Sequence, residues 1–168
     1  MAAKNIVQAW EQVNVAIHEG LPPPYRILVA EVDADILRLN TETLTEAGYN
    51  VDGASNGTVA WDAIQSGNYD LLVTENCLPK ISGLELLKNI HTAQIELPVI
   101  MVTGLPPAER PKRPPWLQIS AILLKPYTAG ELLAVVKNVL YVTAMAPDQI
   151  IVPPSWQGRP PSTGDLRP

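Results

Sequence analysis

Five short apolar runs alternate with helix-periodic segments between Tyr25 and Tyr141, and this alternation constrains the fold most tightly. The runs cover residues 25–30, 71–75, 97–103 and 120–125, with a short second one that begins at residues 49–51. Each is too short for a buried helix and is bounded by polar residues, as expected of strands covered on both faces of a sheet. Three segments between them and one after the last carry apolar residues at helical spacing. Residues 34–47 place Ile36, Leu37, Leu44 and Ala47 on one stripe, with Asp33 as N-cap and Gly48 just past the end. Residues 57–65 offer Val59, Ala60, Ala63 and Ile64 as core, stopped by Gly67, and a third helix spans 83–91. Residues 128–141 start on Thr128 with Glu131 three positions on, a capping-box pattern, and turn Leu132, Leu133, Val136 and Leu140 inward.

Strands alternating with helices predict an α/β doubly wound parallel sheet. Right-handed crossovers and the usual five-strand order give a flavodoxin-like three-layer sandwich with strand order 2-1-3-4-5. One connection breaks the pattern. Residues 104–117 contain five prolines and cannot form a normal helix, so the fourth helix is expected to be altered or lost.

The ends of the chain read differently. In residues 1–20, Ile6, Trp10, Val13 and Ile17 recur at four-three-four spacing and predict an extra N-terminal helix, ended by Gly20 and the Pro linker 21–24. It either packs on its own domain or, with about two heptads around Trp10, pairs with a second copy as a homodimer. The domain proper spans 25–143, and 144–168 is a polar, Pro-rich tail. Its P-P-S-W and R-P-P-S segments read as a solvated linker or as polyproline ligands.

Bulk composition narrows the function. Apolar residues make up 46% and charged residues 17% of the chain, which supports a packed core. Net charge is −5 with no basic run, which argues against a nucleic-acid partner. The single cysteine, Cys77, allows no internal disulfide and no cysteine-based zinc site. No run is long and apolar enough to span a membrane, and the N-terminus lacks a signal-peptide pattern, so a cytoplasmic location is expected. Gly-rich phosphate loops that would open a helix are missing after the strands, which ranks a nucleotide or flavin enzyme last.

In an open α/β sheet, chemistry collects at the carboxyl ends of the strands. Strand order 2-1-3-4-5 sets the ends of strands one and three side by side. Glu31, Asp33 and Glu75 then share one acidic cleft, with Thr103 and Lys125 along the same edge. His18 and His91 have no company there and read as surface residues. Cys77 reads as an unreactive loop thiol beside acids.

The pieces I-L-V-A-E-V-D-A-D-I-L, E-A-G-Y, A-S-N-G-T-V-A-W, Y-D-L-L-V-T-E-N-C-L-P-K-I-S-G-L-E-L-L, L-P-V-I-M-V-T-G and L-L-K-P-Y occur in that order. Together they resemble the receiver domain of two-component response regulators. The resemblance implies a phosphoacceptor at Glu75 and an acidic, metal-binding pair at Glu31 and the next residue. It also implies a metal-ligating backbone carbonyl at Cys77, phosphoryl contacts from Thr103 and Lys125, and a candidate cis bond before Pro126. A histidine kinase or a downstream effector would be the partner, and Mg²⁺ the metal.

This chain departs from that pattern at three places. The phosphoacceptor position holds Glu75 where the family has aspartate, which moves the carboxylate by about 1 Å, enough to cost about a hundredfold in rate. The second acid is Val32, so Mg²⁺ through Glu31, Glu75 and the Cys77 carbonyl should be weak or absent. The aromatic switch position holds Ile122. The departures predict an atypical pseudo-receiver that is no enzyme, needs no cofactor and acts as a phosphorylation-independent interaction module in a phosphorelay. The alternative is a working phosphoacceptor, or phosphate sink, through Glu75 or Asp33. Glu75 could also reach Lys125 and hold the cleft in a phosphorylated-like state. A carboxyl pKa pulled down by that cation would be its mark.

Overall fold

The computed structural model describes residues 25–104 and 117–145. The expected N-terminal helix, the linker 21–24, the proline segment 105–115 and the tail from 146 onward lie outside the described residues. The elements are β1 (Arg26–Ala30), α1 (Ala34–Glu46), β2 (Asn50–Ala54), α2 (Gly57–Ser66), β3 (Leu71–Glu75), α3 (Gly83–Thr92), β4 (Val99–Thr103), β5 (Ala121–Leu124) and α4 (Ala129–Met145). All strand pairs are parallel, and the order is β2-β1-β3-β4-β5, as the alternation predicts.

Both sheet faces are covered, which is why the strands read as continuous apolar runs. Ile27, Val29, Leu71, Val73, Ile100 and Val102 point to one side and pack against Leu44 of α1 and Leu132, Val136 and Leu140 of α4. Leu28, Ala30, Leu72, Val99 and Met101 point to the other side, toward Ala60 and Ile64 of α2 and Leu86, Leu87 and Ile90 of α3. Trp61 packs half-buried on this second layer, as does Ile122.

The helix ends follow the predicted chemistry. Asp33 Oδ1 accepts from the backbone amides of Asp35 and Ile36 and caps α1. Gly48 has φ +95°, a left-handed conformation that costs glycine little after a helix. Thr128 and Glu131 form the reciprocal box at the start of α4. Ser82 and Glu85 form a second such box on α3, which the sequence reading passed over. Gly57 lies against the loop before α3, where a side-chain carbon would run into the Ile81 carbonyl oxygen.

Three details differ from expectation. Ala47 and Val59 are exposed, although they sit on the predicted apolar stripes. Ala47 falls at the C-cap of α1, beyond the last turn that faces the sheet. Val59 lies in the first turn of α2, where Ala60 and Ile64 take the inward direction. The last helix continues past Tyr141 to Met145, because Val142, Thr143 and Ala144 offer no breaker before Pro147.

Candidate functional site

The register sets the cleft. Ala30 pairs with Thr74 and Glu75 with Val102, so β1, β3 and β4 end together at one edge. Glu31 follows β1 directly, Glu75 closes β3, and Thr103 closes β4. The Lys125 backbone N–H donates to the Thr103 carbonyl at 2.9 Å, which brings the lysine to the same edge. The Lys125–Pro126 bond is cis, as the resemblance implies.

Lys125 Nζ lies between the two glutamates. It donates to Glu31 Oε2 at 2.8 Å and to Glu75 Oε1 at 3.0 Å. The other oxygen of Glu31 accepts from the Asp33 backbone amide at 3.1 Å. Glu31 is 2% exposed, so this is a charged group taken out of water and held by bonds to both oxygens. Glu75 Oε2 and Asn76 Oδ1 are also buried, with no hydrogen-bond partner among the described residues.

Two carboxyl groups thus share one ammonium, and their titration splits. Burial would push Glu31 up, but the neighbouring Glu75 carboxyl, the Lys125 ammonium and the Asp33 amide outweigh it and hold the group below the ordinary glutamate value. Burial pushes Glu75 up, and the Glu31 carboxyl adds to that push, while Lys125 counters only part of it. Burial alone would lower Lys125, yet its bonds to Glu31 and Glu75 raise it above the ordinary lysine value. This corrects one expectation. Glu75 does pair with Lys125, but its pKa rises instead of falling, because burial and the neighbouring Glu31 carboxyl outweigh the shared cation.

The other predicted residues are placed as follows. Asp33 sits at the cleft's rim, with its side-chain oxygen committed to capping α1. Val32 is 48% exposed where the resemblance implies an acid. Cys77 lies two residues past Glu75 with an exposed thiol. His91 is exposed in the last turn of α3. The donor set does not suit Mg²⁺. The ammonium lies between the two carboxylates, the second acid is Val32, and the Asp33 carboxylate caps a helix. Among the described residues no three His, Cys, Asp or Glu side chains group as a metal site.

Sequence reasoning missed one pair. Asn40 of α1 is 4% exposed, and its Nδ2 donates to the Tyr127 hydroxyl at 2.8 Å, two residues past Lys125. Its only signal was an asparagine one helical turn from Ile36 and Leu44, on the stripe facing the sheet.

Comparison with known proteins agrees with this geometry. The sequence matches the family described as Response regulator receiver domain over residues 27–137. It is 30% identical over 115 residues to the transcriptional regulatory protein CusR of Escherichia coli K12, covering 68% of this chain and 51% of CusR. It is 28% identical over 121 residues to the response regulator receiver protein CpdR of Brucella abortus, covering 68% of this chain and 96% of CpdR. Among solved structures, a CheY-like receiver domain from Methanospirillum hungatei superposes with TM-score 0.63 at 26% identity, covering 72% of this chain and 97% of that one. The response regulator TrrA from Thermotoga maritima, solved with Mg²⁺ and BeF, gives 0.60 at 33% identity, covering 68% and 98%. This chain spans about half the length of curated relatives such as CusR. Among the described residues no helix is long and apolar enough to cross a membrane.

Proposed function

We propose that this chain, which belongs to the response regulator receiver domain family, is a pseudo-receiver: an interaction module of two-component signalling that works without phosphorylation. One observation carries the reading. Lys125 Nζ bridges Glu31 and Glu75 at 2.8 and 3.0 Å, filling the place where phosphoryl transfer needs metal and phosphate oxygens. Phosphoryl transfer is mostly positioning and charge neutralisation, and here an internal ammonium already supplies the neutralising charge. Val32 and the capping role of Asp33 leave Mg²⁺ without a second acidic ligand. Lys125 also holds Glu75 Oε1 at 3.0 Å, so the carboxylate oxygen that would attack phosphorus is already engaged.

The partner is a signalling protein, a histidine kinase or a downstream effector. It would meet the surface of β4, the segment 105–115, β5 and α4. The competing reading is a phosphate sink that accepts through Glu75 or Asp33. Intact mass after incubation with Mg²⁺ and acetyl phosphate separates the two. The wild-type chain should stay bare, and Glu75→Asp combined with Val32→Asp should gain one phosphoryl mass. Labelling of the wild type would establish the sink instead.

A further inference from the structure

The last helix is apolar almost all the way round. In its 17 residues α4 carries only two charged side chains, Glu131 and Lys137. Leu132, Val136, Val139 and Leu140 are buried toward the sheet. The opposite side presents Ala134, Asn138, Tyr141 and Met145, spaced four-three-four. Tyr141 is 39% and Met145 69% exposed, flanked by half-buried Val142 and exposed Ala144. A surface helix ordinarily turns charged and polar residues outward, and a helix apolar on all sides is one that something covers.

The chain carries a matching stripe. Ile6, Trp10, Val13 and Ile17 have the same four-three-four spacing, in a segment outside the described residues. Only residues 21–24 separate that segment from Tyr25, and four residues reach at most about 14 Å. Tyr25 packs into the same core layer as α4. In this parallel topology β1 begins at the end of the sheet where α4 finishes. A tether of that reach allows Ile17 to approach Met145. A helix over residues 3–19 would be about 25 Å long, the same as α4.

We propose that residues 3–19 form a helix lying parallel to α4 of the same chain, with Ile6, Trp10, Val13 and Ile17 set against Ala134, Asn138, Tyr141 and Met145. In this register the bulky Ile6 and Trp10 meet the smaller Ala134 and Asn138, and the smaller Val13 meets Tyr141, so large and small alternate across the seam. The Asn138 amide offers an acceptor to the Trp10 indole N–H. The short tether sets an effective concentration in the millimolar range, so the same segment on a second copy competes poorly. The N-terminal segment then covers the outer face of α4 in the free protein, whatever partner the domain binds.

Disulfide trapping in the full chain tests this. Cys77→Ser removes the native thiol, and Val13→Cys with Tyr141→Cys adds a pair across the seam. Under oxidised glutathione the pair should close within one chain, giving a monomer with no free thiol. The control, Val13→Cys with Leu39→Cys on α1, should keep both thiols. Disulfide-linked dimers would hand the face to a second copy, and free thiols in the first pair would also overturn the proposal. Hydrogen exchange gives an independent reading in a chain with native cysteine. Amides of residues 3–19 should be protected, and Met145→Glu should cut that protection at least tenfold while β1 to β5 stay unchanged. An unprotected segment in the wild type would overturn the proposal.

Discussion

Replacing Lys125 by methionine keeps the length of the side chain and removes the one cation that holds Glu31 and Glu75. The lysine makes two charge-assisted hydrogen bonds, at 2.8 and 3.0 Å. Breaking a buried ion pair by removing one partner costs about 3–5 kcal/mol, because the other charge stays buried. Lys125 is 23% exposed on its side chain, so water softens the loss, and about 3 kcal/mol at neutral pH is expected. With a urea slope near 2 kcal/mol/M, the unfolding midpoint should fall by about 1.5 M. Two further variants sharpen the test. Glu31→Gln removes the carboxylate that Lys125 and the Asp33 amide hold ionised, and about 2 kcal/mol should be lost. Glu75→Gln removes a carboxyl whose ionised form is already disfavoured, so at most about 1 kcal/mol should go. The pH dependence follows from the directions of the shifts. Glu31 is lowered, so its stabilisation is present above its ordinary value of 4.5 and is lost as pH falls through the folded value. Glu75 is raised, so its contribution is present below 4.5 and is lost as pH rises through its folded value. Urea titrations followed by circular dichroism at neutral and acidic pH give all three differences. Equal losses for Glu31→Gln and Glu75→Gln, or a Lys125→Met loss below about 1 kcal/mol, would refute the one-cation, two-carboxyl account.

Tyr127→Phe should cost about 1–3 kcal/mol, because the buried Asn40 Nδ2 then loses its acceptor. Adding Asn40→Leu should recover part of that loss, and a double-mutant cycle without coupling would show that the contact contributes nothing. The two capping boxes make a pH prediction. Hydrogen bonds from Ser82 hold Glu85 low and those from Thr128 hold Glu131 low, so both contributions are present above 4.5 and fade as pH falls through the folded values. Glu85→Gln combined with Glu131→Gln should therefore lower the melting temperature at neutral pH and leave it near wild type in acid. A difference independent of pH would count against the capping account.

Where local chemistry suffices, the sequence was a sound guide. Runs such as Leu71-Leu72-Val73 betray strands covered on both faces, and Thr128 with Glu131 betrays a helix start. Both depend only on near neighbours. Strand order needed only general rules of handedness, and it sufficed to bring Glu31 and Glu75 together. Burial on helices was less legible. Val59 and Ala60 are adjacent and both apolar, and periodicity cannot say which of them faces the sheet until α2 is docked. Asn40 was hidden for the opposite reason. A polar residue on an inward stripe reads as a flaw until Tyr127, far away in sequence, supplies its partner.

The sign of the Glu75 shift shows where such reading stops. From sequence, Glu75 and Lys125 are one acid and one base at one edge, and a pair of opposite charges lowers the acid's pKa. The structure adds a third group. Glu31 has the shorter bond to Lys125, lower exposure and a backbone donor from Asp33, so it keeps the charge. Glu75, left with a shared cation and a buried oxygen that lacks a partner, becomes the group that gains a proton more readily. A single ammonium cannot fully neutralise two buried carboxylates, so the outcome depends on which carboxylate has the better second contact. That contact comes from the tight turn at residues 31–33, where Val32 replaces an acid and the Asp33 amide folds back onto Glu31. The residue that weakens the case for metal binding thus belongs to the turn that decides which glutamate stays charged.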